Sequence, residues 1–307
     1  MNNKIKTLVL GGGGFIGTHL VKELLSTGKS VRVLERPNTM KVLQHENLEW
    51  IEGDFGNKQD IIRSLQNVDV VFHLVSTTQP QTSNLNTLFD VKSNLLNTLV
   101  FLEEIKNMPE VKIIFLSSGG TVYGRPIQIP IPETHPTYPQ CSYGIVKLAI
   151  EKYLSLYHQM YGLNYRVLRL SNPYGPGQAN PVQGVIGAFL MRISKGLELE
   201  VWGDGKIVRD YIYIGDAIDA LLLTADYSGE FRVFNIGSGK GKSIQDIILA
   251  VESTIGKKAV VNYTEKREFD VPVSILDIQL AQNELKWKPK TSLNEGLLAT
   301  KKWMNFF

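Results

Sequence analysis

The sequence predicts an α/β fold with a doubly wound parallel sheet and a smaller C-terminal α/β domain. Six short apolar or β-branched runs occur in the first 172 residues, and the stretches between them carry apolar residues three and four positions apart. Strands that alternate with amphipathic helices form right-handed βαβ units and a parallel sheet covered on both faces. After about residue 173 this alternation gives way to shorter elements.

The predicted strands follow one another in chain order as TLVL, SVRVLE, LEWIEGD, VDVVFHLVS, VKIIFLSS and YRVLRLSN. The clearest helical periodicity lies in FIGTHLVKELLSTG and NLLNTLVFLEEIKN, and a closing helix lies near LNEGLLATKKWMNFF. We therefore assign residues 1–172 to the first domain, with a returning segment near 207–236, and residues 173–307 to the second.

The composition predicts a cytoplasmic globular protein. A net charge of +3 over 307 residues is too small to indicate binding to nucleic acid or to an anionic membrane. No apolar run approaches the ~18 residues of a membrane-spanning helix, and the few apolar residues before the first glycines are too short for a signal peptide. The single cysteine, Cys141, excludes an internal disulfide, and the histidines lack the spacing of metal ligands, so we expect no metal.

Four consecutive glycines lie between the first predicted strand and helix, in VLGGGGFIGTHL. Gly11, Gly14 and Gly17 form the pattern GxxGxxG, whose glycines permit a tight turn, the close approach of a pyrophosphate and the packing of helix on strand. The phosphates would lie at the helix N-terminus, beside Phe15 and Ile16, where unpaired N–H groups and the helix dipole favour anions. The other two glycines are not required by this account.

Two acidic side chains follow the second and third predicted strands. Glu35 lies 18 residues beyond Gly17, where a carboxylate would bind the ribose 2′-hydroxyl of NAD and repel the 2′-phosphate of NADP. Arg36 follows directly and leaves NADP open, its alternative role being that of a solvated loop arginine. Asp54 in EGDF is expected at the adenine edge, with an Asx-turn residue as the alternative. Together with the glycines, these residues predict NAD as the cofactor.

Tyr143 and Lys147 in CSYGIVKLAIEKY are four residues apart, so they share one face of a predicted helix. A free tyrosine, with a pKa of about 10, is a poor base at neutral pH. A lysine ammonium one turn away and the positive ring of an oxidised nicotinamide would both stabilise the phenolate. The pair is therefore predicted to be a general acid/base beside a hydride acceptor.

The whole chain resembles the extended short-chain dehydrogenase/reductase family, which has a Rossmann-type N-terminal domain, and within it the nucleotide-sugar epimerases and dehydratases. The motifs that carry the resemblance occur in the family's order: GGGGFIG, EGDF, VFHLVS, SNLLNT, FLSSGGTVYG, YGIVK, RLSNPYGPGQ, GDGKIVRDYIYIGD, FNIGSG and REFDVP. The resemblance implies a bound NAD, a nucleotide diphosphate sugar as substrate, and a homodimer formed through a four-helix interface that includes the helix of Tyr143.

The resemblance also implies roles for individual residues. Asn94 matches the asparagine near the nicotinamide, and the segment HLVS, with Leu74 and Val75, matches the backbone under the cofactor. Phe55 of EGDF belongs to the same cofactor-binding set. Tyr143, Lys147 and a hydroxyl residue would form the catalytic trio.

Departures from the family's motifs separate its subfamilies. The 4,6-dehydratases carry an Asp-Glu pair just before VYG, where this chain has Gly120 and Thr121, so dehydration is not expected. Gly119 replaces the hydroxyl residue usual in UDP-glucose 4-epimerases. Ser118 lies 25 residues before Tyr143, the separation expected of the epimerase pair. We assign the catalytic hydroxyl to Ser118, with Thr121 as the alternative, and expect both to contact substrate.

The resemblance places the nucleotide-sugar site in the second half of the chain. Asn172, which with Tyr174 ends the sixth predicted strand, would contact the sugar or the diphosphate. Arg209 in VRDYIY and Arg267 in REFD would bind the diphosphate through charge-assisted hydrogen bonds. Asp270 would support this site, through a hydroxyl of the uridine ribose.

Ser274 lies seven residues beyond Arg267, where the resemblance places a wall of the pocket near the sugar's C2 substituent. A tyrosine at that position in the family leaves no room for an acetamido group, so a serine predicts that UDP-GlcNAc and UDP-GalNAc are accepted. Alternatively, Ser274 only begins a strand, SILDI, and another side chain closes the pocket.

These residues together predict an NAD-dependent 4-epimerase of UDP-hexoses, acting on UDP-glucose and UDP-galactose, on the acetamido pair, or on both. Tyr143 would accept the proton of the 4-hydroxyl through or beside Ser118, while C4 passes hydride to NAD and later takes it back on its other face. The nearer alternative is a reductase of a 4-keto-6-deoxy nucleotide sugar, which shares the trio. A non-catalytic dinucleotide sensor is more distant, because a sensor does not need Tyr143 and Lys147.

Overall fold

The computed structural model describes residues 7–37, 43–178, 184–266 and 271–304. The chain forms two compact units. The first unit comprises Met1–Val122, Pro139–Arg169 and Leu221–Phe234, and the second comprises Tyr123–Tyr138, Leu170–Ala220 and Asn235–Phe307.

Both units contain strands and helices. The strands are β1 (Thr7–Leu10), β2 (Val31–Glu35), β3 (Leu48–Glu52), β4 (Val70–His73), β5 (Lys112–Ser118), β6 (Asn164–Leu170), β7 (Asn172–Tyr174), β8 (Leu199–Trp202), β9 (Val208–Tyr213), β10 (Val233–Ile236), β11 (Gly241–Ser243), β12 (Val261–Thr264) and β13 (Val273–Ser274). The α-helices are α1 (Phe15–Ser26), α2 (Lys58–Ser64), α3 (Thr87–Asp90), α4 (Asn97–Ile105), α5 (Ser142–Tyr161), α6 (Val185–Ser194), α7 (Ile214–Asp226), α8 (Ile244–Ile255), α9 (Gln279–Glu284) and α10 (Leu293–Met304). A 3₁₀ turn over Ser83–Leu85 precedes α3, and a π-helical turn over Val91–Leu96 joins α3 to α4.

A seven-stranded sheet has the strand order β10-β6-β5-β4-β1-β2-β3. β1 pairs in parallel with both β2 and β4, and the β2–β3 and β4–β5 pairs are also parallel. The strand order reverses between β1 and β4, the switch point at which open α/β sheets bind ligands beyond the carboxyl ends of their strands. The predicted doubly wound fold is confirmed.

The central strands of the first unit are buried on both faces of the sheet. All four residues of β1 are buried, as are most of those in β5 and β6. Leu8 and Leu10 of β1 share one cluster with Phe101 of α4, Phe115 of β5 and Ile150 of α5. A sheet covered by helices needs such continuous apolar strands.

The second unit contains smaller sheets. β9 pairs with β11 in antiparallel fashion and with β7 and β13 in parallel, while β8 pairs with β12. A separate apolar cluster joins α6 and α8 to β8 and β9. No helix in the described part of the chain is long and apolar enough to span a bilayer.

The segment Asn172–Tyr174 corrects one prediction. It was expected to end the sixth strand, but it forms β7, which pairs with Tyr211–Tyr213 of β9 in another sheet. Pro173 has no N–H to donate to a central ladder. Just before it, the Ser171 N–H still donates to the carbonyl of Ile236 in β10 at 2.8 Å, so the chain leaves the large sheet at this point.

Candidate active site

The glycine-rich turn between β1 and α1 is shaped by two close backbone approaches. Gly11 has a φ of +84°, in the left-handed region, and a Cβ there would come within 3.2–3.3 Å of the backbone of Leu74 and Val75. A Cβ on Gly17 would lie 2.2 Å from the carbonyl oxygen of Gly11, so α1 can pack on the turn only with glycine at this position. Leu74 and Val75 therefore lie directly against the turn, as the resemblance implies.

Gly14 differs from these two glycines because it faces open space. A Cβ there would meet only the Gly11 carbonyl oxygen, at an ordinary 3.5 Å, and its φ of −76° suits any residue. The protein itself does not require glycine here, which fits a position kept bare for a phosphate at the start of α1, beside Phe15–Ile16. Gly12, which the phosphate pattern leaves unexplained, has a packing role, since its Cβ would lie 2.7 Å from the Val33 side chain.

Glu35, at the end of β2, is held against the same turn. Its carboxylate accepts hydrogen bonds from the N–H groups of Gly13 at 3.0 Å and Arg36 at 3.1 Å. The Arg36 side chain is exposed. Asp54 accepts a hydrogen bond from the Gly56 N–H at 2.7 Å, so it does form the Asx turn that was its alternative role. The turn and Glu35 together fit the adenosine diphosphate part of NAD.

Two residues of the expected cofactor set have their side chains engaged inside the protein. Phe55 is buried in the core, with its ring centroid 4.9 Å from that of His73. Asn94 is also buried, and its side-chain oxygen accepts from the Thr77 N–H at 2.9 Å while its amide donates to Asp90 Oδ1 at 2.9 Å. Asn94 therefore fixes the loop after β4 rather than presenting a free amide.

The three predicted catalytic residues come together in the first unit. Tyr143 and Lys147 lie one turn apart on α5, and Ser118 is the last residue of β5. The Ser118 and Ser76 hydroxyls lie near the Tyr143 side chain, and both lower its pKa. Lys147 is buried, donates from Nζ to the carbonyl of Leu116 at 2.9 Å, and lies 5.7 Å from the centroid of the Tyr143 ring.

Thr121, the alternative hydroxyl, is engaged elsewhere. Its Oγ1 donates to the carbonyl of Ser118 at 3.5 Å, and its backbone oxygen would lie 3.0 Å from a Cβ on Gly144. The start of α5 is thus packed closely on the Thr121 backbone, and the hydroxyl that reaches Tyr143 from this segment is that of Ser118.

As far as the protein's own groups are concerned, burial dominates the electrostatics of the trio. Burial raises the pKa of Tyr143 to about 12, and the neighbouring hydroxyls of Ser76 and Ser118 oppose this rise only in part. Burial also lowers the pKa of Lys147 to about 8, opposed by the charges of Asp90 and Glu151. A further positive charge beside Tyr143 is therefore needed to bring its pKa toward neutrality, and an oxidised nicotinamide carries one.

The N-terminus of α5 is capped by residues that sequence reasoning missed. Cys141 at the N-cap provides no side-chain hydrogen bond to the helix. Instead, the Ser142 N–H donates to Asn84 Oδ1 at 2.8 Å and the Tyr143 N–H donates to Ser83 Oγ at 3.1 Å. The 3₁₀ turn before α3 therefore satisfies the first N–H groups of the helix that carries Tyr143.

A buried ion pair supports the other side of Lys147. Glu151, one turn further along α5, accepts from Arg169 Nη2 at 2.7 Å and from the Ser117 hydroxyl. Both charged side chains are almost completely buried. Because Arg169 neutralises it directly, this carboxylate joins α5 to β5 and β6 as a structural link.

Three of the residues expected to bind the nucleotide sugar lie on β7, β9 and β13 of the second unit. Arg209 donates from Nη1 to the carbonyls of Val208 at 3.0 Å and Val271 at 2.6 Å. Ser274 is buried and lies opposite Arg209 in the β9–β13 pair. Asn172 donates from its amide to the carbonyl of Asp210 at 2.9 Å. The other two expected residues, Arg267 and Asp270, lie outside the described residues.

Asp210 is a second residue that sequence reasoning missed. It is buried beside Arg209 in β9, and its Oδ1 accepts from both the N–H and the hydroxyl of Ser238 at 2.7 Å, while Oδ2 accepts from the Gly239 N–H at 3.1 Å. Burial raises the pKa of Asp210 and these hydrogen bonds oppose the rise. Asp210 thus organises the loop after β10, in the motif FNIGSG.

Comparison with known proteins gives consistent relationships. Residues 7–237 match the model of the NAD dependent epimerase/dehydratase family. The UDP-glucose 4-epimerase of Thermotoga maritima, solved with UDP-glucose, is 36% identical with a TM-score of 0.92, and the match covers 98% of this chain and 99% of that one. The UDP-N-acetylglucosamine 4-epimerase of Methanobrevibacter ruminantium, solved with UDP-N-acetylmuramic acid, is 30% identical with a TM-score of 0.91, over 100% and 99% of the two chains.

A relative with a different reaction is also similar over its length. The dTDP-4-dehydro-6-deoxyglucose reductase of Escherichia coli is 33% identical over 300 residues, which cover 94% of each chain. The family match includes the glycine turn, the trio on β5 and α5, and Arg209. The chain belongs to the NAD-dependent epimerase/dehydratase family.

Proposed function

We propose that this protein is an NAD-dependent 4-epimerase of UDP-hexoses. The observation that carries the proposal is the grouping of Tyr143, Lys147 and Ser118 beyond the carboxyl edge of a sheet whose glycine turn and Glu35 fit a dinucleotide. The similarity to two 4-epimerases of UDP-sugars, each over nearly the whole chain, supports the same reaction.

The residues of the first unit move a proton at the sugar's 4-hydroxyl. Held by the glycine turn and Glu35, NAD would supply a reversible hydride acceptor for C4 of the sugar, which would regain the hydride on its opposite face. Tyr143 accepts the hydroxyl proton and later gives it back, and Ser118 orients the reacting oxygen. Lys147, held by the Leu116 carbonyl, keeps a positive charge beside the Tyr143 ring. Arg209 and Arg267 bind the diphosphate and anchor the sugar while it turns. Asn172 contacts the sugar or the diphosphate, and Asp270 supports the site through a hydroxyl of the uridine ribose.

Product analysis after incubation with a panel of UDP-sugars, with no added cofactor, tests this function. Because epimerisation causes no net oxidation, the protein should interconvert a 4-epimeric pair repeatedly on its bound NAD. Absence of any 4-epimer from UDP-glucose, UDP-galactose, UDP-GlcNAc and UDP-GalNAc would overturn the proposal.

The second candidate is reduction of a 4-keto-6-deoxy nucleotide sugar, which the similarity to the reductase of E. coli favours. That reaction consumes one reduced cofactor per turnover, whereas epimerisation consumes none. Steady oxidation of added NADH or NADPH in the presence of a 4-keto-6-deoxy nucleotide sugar would support the reductase.

The proposed enzyme is a cytoplasmic homodimer. One face of α5 exposes Ile145, Leu156 and Met160, and Leu96 at the end of the π-helical turn is also exposed. These apolar side chains suit a four-helix interface between two copies. The molar mass in solution tests the dimer, and the single cysteine, Cys141, fits a reducing compartment.

A further inference from the structure

Asp90, the last residue of α3, is a completely buried carboxylate without a predicted role. It accepts hydrogen bonds from three neutral donors: the Ser142 hydroxyl at 2.6 Å, the Thr78 hydroxyl at 2.6 Å and the Asn94 amide at 2.9 Å. These donors belong to the first turn of α5, the loop after β4 and the π-helical turn. One side chain therefore ties together the three segments that surround Tyr143.

The charge of Asp90 distinguishes it from the other buried carboxylate near the trio. Glu151 is neutralised by Arg169 at 2.7 Å, but in the described part of the chain no lysine or arginine forms an ion pair with Asp90. Burying an unpaired carboxylate is costly, and an asparagine would keep most of the same hydrogen bonds without that cost. A role for the negative charge itself would explain why a carboxylate occupies this position.

The groups that this charge affects are the two proton-transfer residues. Asp90 raises the pKa of both Tyr143 and Lys147, so it favours the protonated form of each. It is also joined to the residue before Tyr143 through a direct hydrogen bond to the Ser142 hydroxyl.

We infer that Asp90 is a positioning residue that fixes the first turn of α5 through Ser142 and keeps a buried negative charge near the Tyr143–Lys147 pair. The inference rests on the proposed function, because it assigns Asp90 to the same proton transfer. The negative charge of Asp90 helps Lys147 to stay protonated at neutral pH despite its burial. The same charge raises the pKa of Tyr143, so Tyr143 becomes less acidic.

The other groups around the pair are accounted for in this balance. Glu151 of α5 raises the pKa of Lys147 through its negative charge. Cys141, the N-cap residue of α5, raises the pKa of Tyr143. From β4, the buried His73 is neutral, since burial and the Lys147 charge lower its pKa to about 3. Ser76 and Ser118 supply only neutral hydroxyls, and Arg169 offsets Glu151. Removing the charge of Asp90 should therefore lower the pKa of Tyr143 and that of Lys147 together.

The test compares Asp90→Asn, which removes the charge and keeps a hydrogen-bonding amide, with Ser142→Ala, which keeps the charge and removes the link. Glu230→Gln, at an exposed glutamate of the same unit, controls for the change in net charge. Ionisation of Tyr143 is followed by ultraviolet absorbance in the NAD-loaded protein, each variant being compared with its Tyr143→Phe counterpart. The pH dependence of kcat is measured in parallel.

Asp90→Asn should move the Tyr143 ionisation, and both limbs of the pH profile, measurably toward lower pH. Ser142→Ala should leave the midpoints unchanged and lower kcat at every pH. An unchanged midpoint in Asp90→Asn, or an equal shift in Glu230→Gln, would overturn the inference. If Asp90→Asn does not fold, Asp90→Ser gives the same charge removal with a smaller side chain. The absorbance titration needs no substrate, so a wild type inert toward UDP-sugars would contradict only the proposed function.

Discussion

The two units of this protein carry functional groups of different kinds. In the first unit, the backbone N–H of Tyr143 donates to Ser83 and the ammonium of Lys147 donates to the carbonyl of Leu116, so both residues are held by contacts within that unit. In the second, the side chains of Arg209 and Asn172, which are expected to bind the nucleotide sugar, donate to the backbone carbonyls of Val271 and Asp210. The difference suggests that chemistry is built into the first unit and recognition into the second. Changes in the first should therefore alter kcat or cofactor affinity, and changes in the second KM and substrate choice.

The largest effect is expected from Tyr143→Phe, which removes only the oxygen that transfers the proton. Loss of one general acid/base group typically lowers the rate by ~10² to 10⁴. We expect kcat to fall by this amount while NAD binding and Tm are retained. Tyr157→Phe is the matched control, because Tyr157 lies on the same helix as Tyr143 and the change removes a hydroxyl that is bonded to Glu103 of α4. Near wild-type turnover by Tyr143→Phe would mean that Tyr143 is not the general acid/base.

A second test separates the two kinds of glycine in the first unit's turn. Gly17→Ala places a Cβ 2.2 Å from a backbone oxygen, so it should lower the unfolding free energy by about 2 kcal/mol or more and abolish NAD binding. Gly14→Ala meets only an ordinary 3.5 Å contact, so Tm should be retained while NAD affinity falls, by about 100-fold if the methyl group blocks the pyrophosphate. Titration with NAD and thermal unfolding measure both. Unchanged NAD affinity in Gly14→Ala would show that the phosphates bind elsewhere.

A smaller effect concerns the choice of cofactor. Glu35 lies against the Gly13 N–H, and its charge would oppose the 2′-phosphate of NADP. We expect NAD to bind at least about tenfold more tightly than NADP, a difference of ~1.4 kcal/mol. Glu35→Gln keeps an acceptor for Gly13 and should narrow this ratio, whereas Arg36→Ala should leave it unchanged. Equal or tighter binding of NADP by the wild type would mean that Arg36 determines the preference.

The sequence predicted features that depend on residues close together along the chain, and it missed contacts between residues far apart along the chain. The first six strands, α1 and the shared face of Tyr143 and Lys147 follow from local periodicity, which a sequence states directly. The caps of α5 were missed because Ser83 precedes Tyr143 by 60 residues, and only tertiary packing brings them together. Asp90 lies before the predicted helix that begins at Asn94, so no predicted element linked the two residues, and their contact became visible only in the structure.

The protonation of Tyr143 also depends on the folded environment. The spacing of Tyr143 and Lys147 correctly places an ammonium one turn away, but spacing does not state how deeply either group is buried. Burial raises the pKa of Tyr143 to about 12 and lowers that of Lys147 to about 8. Desolvation is a property of the folded environment, so it became visible only in the structure.

The smallest expected effect, and the one that tests the second unit, is a change in substrate choice at Ser274. The structure adds an argument to the spacing from Arg267: Ser274 is buried and lies directly opposite Arg209 in the parallel β9–β13 pair. Side chains paired in this way project from the same face of the sheet. A substituent at position 274 would therefore act close to a residue proposed to bind the diphosphate.

Ser274→Tyr should lower kcat/KM for UDP-GlcNAc and UDP-GalNAc about tenfold relative to UDP-glucose and UDP-galactose, because the added ring would fill space that an acetamido group needs. Ser274→Ala is the matched control: it removes the hydroxyl without adding volume, so the ratio between the two pairs should change far less. Thermal unfolding of both variants checks that a buried site has accepted the ring. An equal loss on both pairs would mean that the tyrosine disturbs Arg209 rather than the C2 pocket. If the wild type does not act on UDP-GlcNAc, another residue must exclude the acetamido group. The residues of the second unit would then be proposed to recognise only the diphosphate.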